Sequence, residues 1–180
     1  DLATHKDRPP TPMRTIYLDS NATSQPAPEV VEAMNQSLTE LWENPSSVHR
    51  PGQLVRRAVE QARTDLASLI GARDREIAFT AGGTEADNWA IFGTFDALSD
   101  RRVFVTDRTE HSAVRESADV LERRGVEVVR LPIDRAGIVD IGALRELLGE
   151  RAEEIGLVSI MWGNNETGVI QPFTQACELS

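Results

Sequence analysis

The sequence predicts an α/β protein with a mostly parallel sheet flanked by helices. From about residue 76 onward, short Val- and Ile-rich segments alternate with longer amphipathic ones. That alternation marks a parallel sheet, because parallel neighbours need a crossover between them. The short segments are apolar on both faces, as strands covered on both sides are. Gly and Pro punctuate the segment ends.

Residues 1–14 (DLATHKDRPPTPMR) hold three prolines and little to bury, and read as a disordered leader. The folded part is expected over residues 15–180. Ile16-Tyr17-Leu18 is a short apolar stretch before the turn-rich DSNATSQPAP. Pro28 suits the first turn of a helix. Val31, Met34, Leu38 and Leu41 recur at three- and four-residue steps and give that helix one apolar face. Asn44-Pro45-Ser46-Ser47 breaks the pattern. A second helix from about Pro51 carries Val55, Ala58, Ala62, Leu66 and Leu69 on one stripe and stops at Gly71. Beyond it, strands are expected over 76–80, 102–106, 126–131 and 157–162. Helices are expected over 84–98, 112–124, 140–150 and from 173 onward, with Gly125 as a cap.

The 180 residues suffice for one sizeable core. A net charge of -10 leaves nothing to neutralise a run of phosphates and argues against nucleic acid. It also disfavours an anionic membrane surface. Cys177 is the only cysteine, so no intrachain disulfide forms. With no apolar run long enough to span a bilayer, the expected location is the cytoplasm.

Ligands of open α/β sheets bind outside the carboxyl ends of the strands. Three segments expected there are unusual. In Phe79-Thr80-Ala81-Gly82-Gly83-Thr84 two glycines precede a helix start, where unpaired N–H groups and the helix dipole favour an anion such as a phosphate. The bland reading is a tight turn with Thr84 as N-cap. In Thr109-Glu110-His111-Ser112, His111 precedes the next helix; imidazole stacks on flat rings and moves protons near neutral pH. A lone histidine is more often structural. In Trp162-Gly163-Asn164-Asn165-Glu166-Thr167-Gly168, amides crowd behind an apolar strand. They form either a simple turn or a set of donors for a ligand's oxygens.

The segments YLDSNAT, NPSSVHRPG, FTAGGTEADN, TEHSAV and SIMWGNNETGVIQP occur in this order. Together they resemble the N-terminal part of the cysteine desulfurases, class V aminotransferase-type enzymes that use pyridoxal 5'-phosphate (PLP). The resemblance implies the large domain of the PLP-dependent transferase type I fold, in part, and a homodimer. It implies conversion of L-cysteine to L-alanine, with sulfur passed as a persulfide to acceptor proteins in iron–sulfur cluster or thiocofactor assembly. By matching position, Gly83 and Thr84 would hold the PLP phosphate. His111 would stack on the ring and assist proton transfer. Asn165 would bond near the ring's phenolic oxygen and the substrate. No metal is implied.

The resemblance also implies a Schiff-base lysine and a nucleophilic loop cysteine downstream of NNETG. The sole lysine is Lys6, in the leader, so the 180 residues alone are expected to be inactive. Cys177 is expected to be a small buried hydrophobe on its helix and is not taken as the nucleophile. A selenocysteine lyase, an aminotransferase and a non-catalytic scaffold or dimerisation fragment remain alternatives. A sheet cut partway exposes an edge strand and apolar faces. The chain alone is therefore expected to aggregate, or to fold only with its remainder or a partner.

Overall fold

The computed structural model describes residues 16–179. The leader expected over residues 1–14, with Lys6, lies outside them. The chain order is α1 (Pro28–Glu40), α2 (Arg50–Ile70), α3 (Gly83–Ala97), β1 (Val103–Thr106), α4 (Ser112–Arg123), β2 (Glu127–Arg130), α5 (Ile141–Arg151), β3 (Ile155–Val158) and α6 (Phe173–Leu179).

The sheet is parallel, with β1 in the centre and β2 and β3 beside it. Parallel pairing puts all three carboxyl ends on one edge, and β1 is buried along its whole length. Side chains alternate across a strand, so β1 feeds two cores. Phe104 points into a cluster with Ile91, Phe95, Val114, Ala118, Leu121 and Val126, contributed mainly by α3 and α4. Its ring meets Phe95 edge-on at 5.8 Å. Val103 and Val105 point the other way, onto Leu131, Val139, Leu144, Ile155 and Ala176. Helices thus cover both faces, as the apolar strands require.

Helix ends follow local chemistry. Gly71 closes α2 at φ 71°, and Gly125 follows α4 at φ 83°, both left-handed positions that glycine tolerates best. The His49 ring opens α2, its Nδ1 accepting from the Gly52 N–H at 3.3 Å.

Several expectations fail, for identifiable reasons. Residues 76–80 are no strand: Asp74–Glu76 is a 3-10 turn, and the chain beyond it pairs with no strand among the described residues. It is held instead by Arg63, which donates to the Ile77 carbonyl and sits 4.9 Å over the Phe79 ring. The strand expected over 157–162 is Ile155–Val158. Ser159 still donates to the Val105 carbonyl at 2.8 Å, after which the chain turns into a tight hairpin. The first helix forms as expected, but Val31, Met34 and Leu38 are exposed, and α1 buries no residue among those described. On α2, Val55 is buried while Leu69 is not. Cys177 is exposed, contrary to expectation. Ala176 takes the buried place on α6, and the next residue turns about 100° away from it.

Gly156 marks the closest packing of β3. A Cβ there would lie 2.9 Å from Phe95 Cε1 and 3.0 Å from the Arg101 carbonyl oxygen. Gly156→Ala is expected to cost about 1–3 kcal/mol through overpacking, read as a lower urea midpoint. An unchanged midpoint would contradict this account of the strand.

Candidate active site

The three segments singled out in the sequence occupy the carboxyl edge of the sheet or the helix starts beside it. The first opens α3. Gly82 is the N-cap and Gly83 the first helical residue, so the helix starts one residue earlier than expected and Thr84 is not its cap. The first intrahelical bond runs from the Ala86 N–H to the Gly82 carbonyl at 3.1 Å. The N–H groups of Gly83, Thr84 and Glu85 precede it and point outward from the helix start. An added Cβ on Gly82 or Gly83 would meet nothing within 4 Å. Thr84 is exposed, and the Glu85 carboxylate folds back to accept from the Ala81 N–H at 2.6 Å just before the helix start.

The second segment follows β1. His111 is the N-cap of α4 and exposed, with its Nδ1 accepting from the Ala113 N–H at 3.2 Å. That bond fixes the tautomer: a neutral ring accepting at Nδ1 carries its proton on Nε2. The helices α3 and α4 pack together, and Ser117 Oγ donates to Asn88 Oδ1 at 2.9 Å. Asn88 lies one turn beyond Thr84, and Ser117 lies within the second turn of α4. The two helix starts therefore face the same edge.

The third segment follows β3. Asn164 N–H donates to the Val169 carbonyl at 2.8 Å, and Gly168 N–H to the Asn164 carbonyl at 2.9 Å, closing a hairpin. Gly168 takes φ 73° in it. Asn165 is exposed at the hairpin tip, and its side-chain amide makes one long bond, 3.4 Å, to Glu166. Asn164 is buried, and its Nδ2 donates to the Thr109 carbonyl at 2.8 Å, tying the third segment to the second. The turn at DSNAT reaches the same place, through Asn21 Nδ2 and the Asn165 carbonyl at 3.4 Å.

Beneath these loops lie two buried carboxyl groups. Asp107 directly follows β1; its Oδ1 accepts from the Thr109 N–H at 2.6 Å, while Oδ2 has no partner among the described residues. Glu110 is 5% exposed and accepts from Ser159 Oγ at 2.9 Å. Burial pushes its pKa above the ordinary carboxylate value; the Ser159 hydrogen bond opposes this, and the Asp107 charge adds to it.

The Asn164–Thr109 bond thus ties the loop before His111 to the turn that carries Asn165, and α3, which starts beside Thr84, packs on α4. A cavity of 680 Å³ lies elsewhere, on the flank of α3, between Thr80, Trp89, Gly93 and Leu98. Sequence reasoning missed Glu110, Ser159, Asn164 and Asn21. One signal was available: Asn at the head of an Asn-x-x-Thr-Gly run is a turn-maker whose side chain bonds its own backbone.

Residues 16–179 match the Aminotransferase class-V family. The chain belongs to that family. Among curated class-V relatives, it is 48% identical over 170 residues to a cysteine desulfurase of Cereibacter sphaeroides. It is 44% identical over 168 residues to the cysteine desulfurase IscS of Dictyoglomus turgidum. The alignment takes in 93% of this chain in both cases, but 43% and 42% of those relatives. The chain therefore spans less than half the length of the curated relatives it matches. A solved NifS-like protein superimposes with a TM-score of 0.85 at 34% identity, over 91% of this chain and 44% of that one. A structure described as SspA in complex with cysteine gives 0.82 at 31%, over 92% and 47%. Among the described residues, no helix of this class-V chain is long and apolar enough to cross a membrane, and no cluster could hold a metal ion.

The buried Glu110 has a testable consequence. The folded protein holds its proton more tightly than an unfolded chain would. Glu110 therefore favours folding below the ordinary carboxylate range and opposes it as pH rises through the raised value. Glu110→Gln, which keeps an acceptor for Ser159, is expected to raise the melting temperature more at pH 8 than at pH 4. Equal shifts at the two pH values in scanning calorimetry would contradict it.

Proposed function

We propose that the chain is part of a PLP-dependent cysteine desulfurase. The whole protein would convert L-cysteine to L-alanine and pass the sulfur as a persulfide to acceptor proteins for iron–sulfur cluster or thiocofactor assembly. It would work as a cytoplasmic homodimer. The observation supporting this reading is the Asn164–Thr109 bond, which ties the loop of His111 to the turn of Asn165, with α3 packed on α4 beside them.

The residues fit PLP. Phosphate would suit the α3 start, where Gly82 and Gly83 carry no side chain and the first N–H groups and the helix dipole favour negative charge, beside the Glu85 carboxylate that accepts from the Ala81 N–H. Gly83 and Thr84 would bind it, Thr84 adding a hydroxyl donor. His111, fixed by its bond to the Ala113 N–H, would cover the ring and hold a proton at Nε2. Asn165 would donate its amide to the phenolic oxygen and orient the substrate. When bound, PLP supplies the electron sink that the chemistry at the amino acid needs. Lys6 and Cys177, the only lysine and cysteine of these 180 residues, receive no role.

The test is an assay of the PLP-loaded whole protein, not of these 180 residues, for L-alanine and sulfide formed from L-cysteine in the presence of a thiol. No alanine above the PLP-only background would end this reading. Thr84→Ala is expected to weaken PLP affinity about tenfold, the worth of one hydrogen bond to a charged group, measured by the visible absorbance of bound cofactor. His111→Ala is expected to lower alanine formation about 10²- to 10⁴-fold, the usual range for a lost proton-transfer group.

A further inference from the structure

We infer that Asn164 is a positioning residue: one buried carboxamide sets both the loop that carries His111 and the turn that carries Asn165. The inference rests on the functional reading above, because it explains how that site keeps its geometry.

Asn164 is 7% exposed. A carboxamide has two donor hydrogens and two acceptor lone pairs, and both ends are engaged here. Nδ2 donates to the Thr109 carbonyl at 2.8 Å and lies 3.3 Å from Met161 Sδ. Oδ1 accepts from the Glu166 N–H at 2.9 Å and the Thr167 N–H at 2.8 Å. The acceptor end shapes the turn on which Asn165 stands. The donor end grips a carbonyl two residues before His111. The two asparagines therefore divide the work: Asn164 is buried and fully bonded, while Asn165 is exposed with its amide almost free.

The grip has a separate support. Ser159, just past β3, donates to Glu110, the residue between Thr109 and His111. Two side-chain bonds thus fasten the loop after β1 to the segment after β3. Along the loop itself, Asp107 fixes the Thr109 N–H. His111 is exposed, and its side-chain hydrogen bond among the described residues is to its own helix. Its place relative to Asn165 is set by the backbone, which Asn164 ties through the Thr109 carbonyl and Glu110 ties through the Met161 backbone.

Only an amide can do this. Aspartate keeps the acceptors for Glu166 and Thr167 but turns an oxygen toward the Thr109 carbonyl. Asn164→Asp is therefore expected to preserve the turn and break the grip, whereas Asn164→Ala loses both. In the PLP-loaded whole protein, Asn164→Asp is expected to lower kcat for alanine formation about 10- to 100-fold with KM nearly unchanged, as displacement of a group by an ångström does. Backbone amide exchange at His111 to Ala113 is expected to speed up about tenfold, the equivalent of one hydrogen bond. Exchange at Gly168 is expected to hold in Asn164→Asp and to speed up in Asn164→Ala.

A second measurement needs no variant and no cofactor. In the unaltered protein, the Nδ2 protons of Asn164 are expected to exchange at least about tenfold more slowly than those of Asn165. If the two side chains exchange alike, or if Asn164→Asp leaves both kcat and the exchange at His111 unchanged, the inference is overturned. Failure of the unaltered protein to bind PLP or form alanine would instead overturn the functional reading. The exchange comparison then still decides whether the grip exists.

Discussion

The parallel pairing of β1 with β2 on one side and β3 on the other is the constraint from which the rest follows. It sends every strand out at one edge, and it buries β1 so completely that its loop has a fixed origin. Each crossover must return over a face of the sheet, so α3 and α4 pack on one side, α5 and α6 on the other, with α4 starting where β1 ends. A histidine at that start and a hairpin that follows β3 both leave from the same edge. Hydrogen bonds then set the detail.

Those bonds come with an electrostatic cost. Asp107 and Glu110 bring two carboxyl groups into the interior at the end of β1 with no cation among their hydrogen-bond partners. Interiors tolerate this where hydroxyls and N–H groups stand in for water, and Thr109 and Ser159 do so here in part. Asp107 Oδ2 and Thr106 Oγ1 have no partner among the described residues. A packed core gains nothing from such groups. The bonds of Asp107 and Glu110 to Thr109 and Ser159 instead tie the loop after β1 to itself and to the segment after β3.

Much of the fold was legible in local chemistry. Helices α1 to α6 begin and end within a residue or two of where proline, glycine and apolar spacing put them, and β1 and β2 appear at the apolar runs. Residues 76–80 show the limit. Their short apolar run permits a strand, but a strand exists only through its neighbours, and none pairs there among the described residues. Val31, Met34 and Leu38 show it again: their periodicity gave a helix face, and nothing in the periodicity says what covers it. Cys177 was misjudged because the frame of α6 was unknown; a shift of one residue put Ala176 inside instead.

The site divides the same way. Glycines before a helix, a histidine before another, and paired asparagines after a strand are written in the chain, because each acts through its own backbone within a few residues. The bond from Asn164 to the Thr109 carbonyl spans 55 positions, and that from Ser159 to Glu110 spans 49. No local preference encodes such distances. The order of strands in the sheet decided which loops would meet, and burial decided which of two adjacent asparagines would hold the structure and which would stand free.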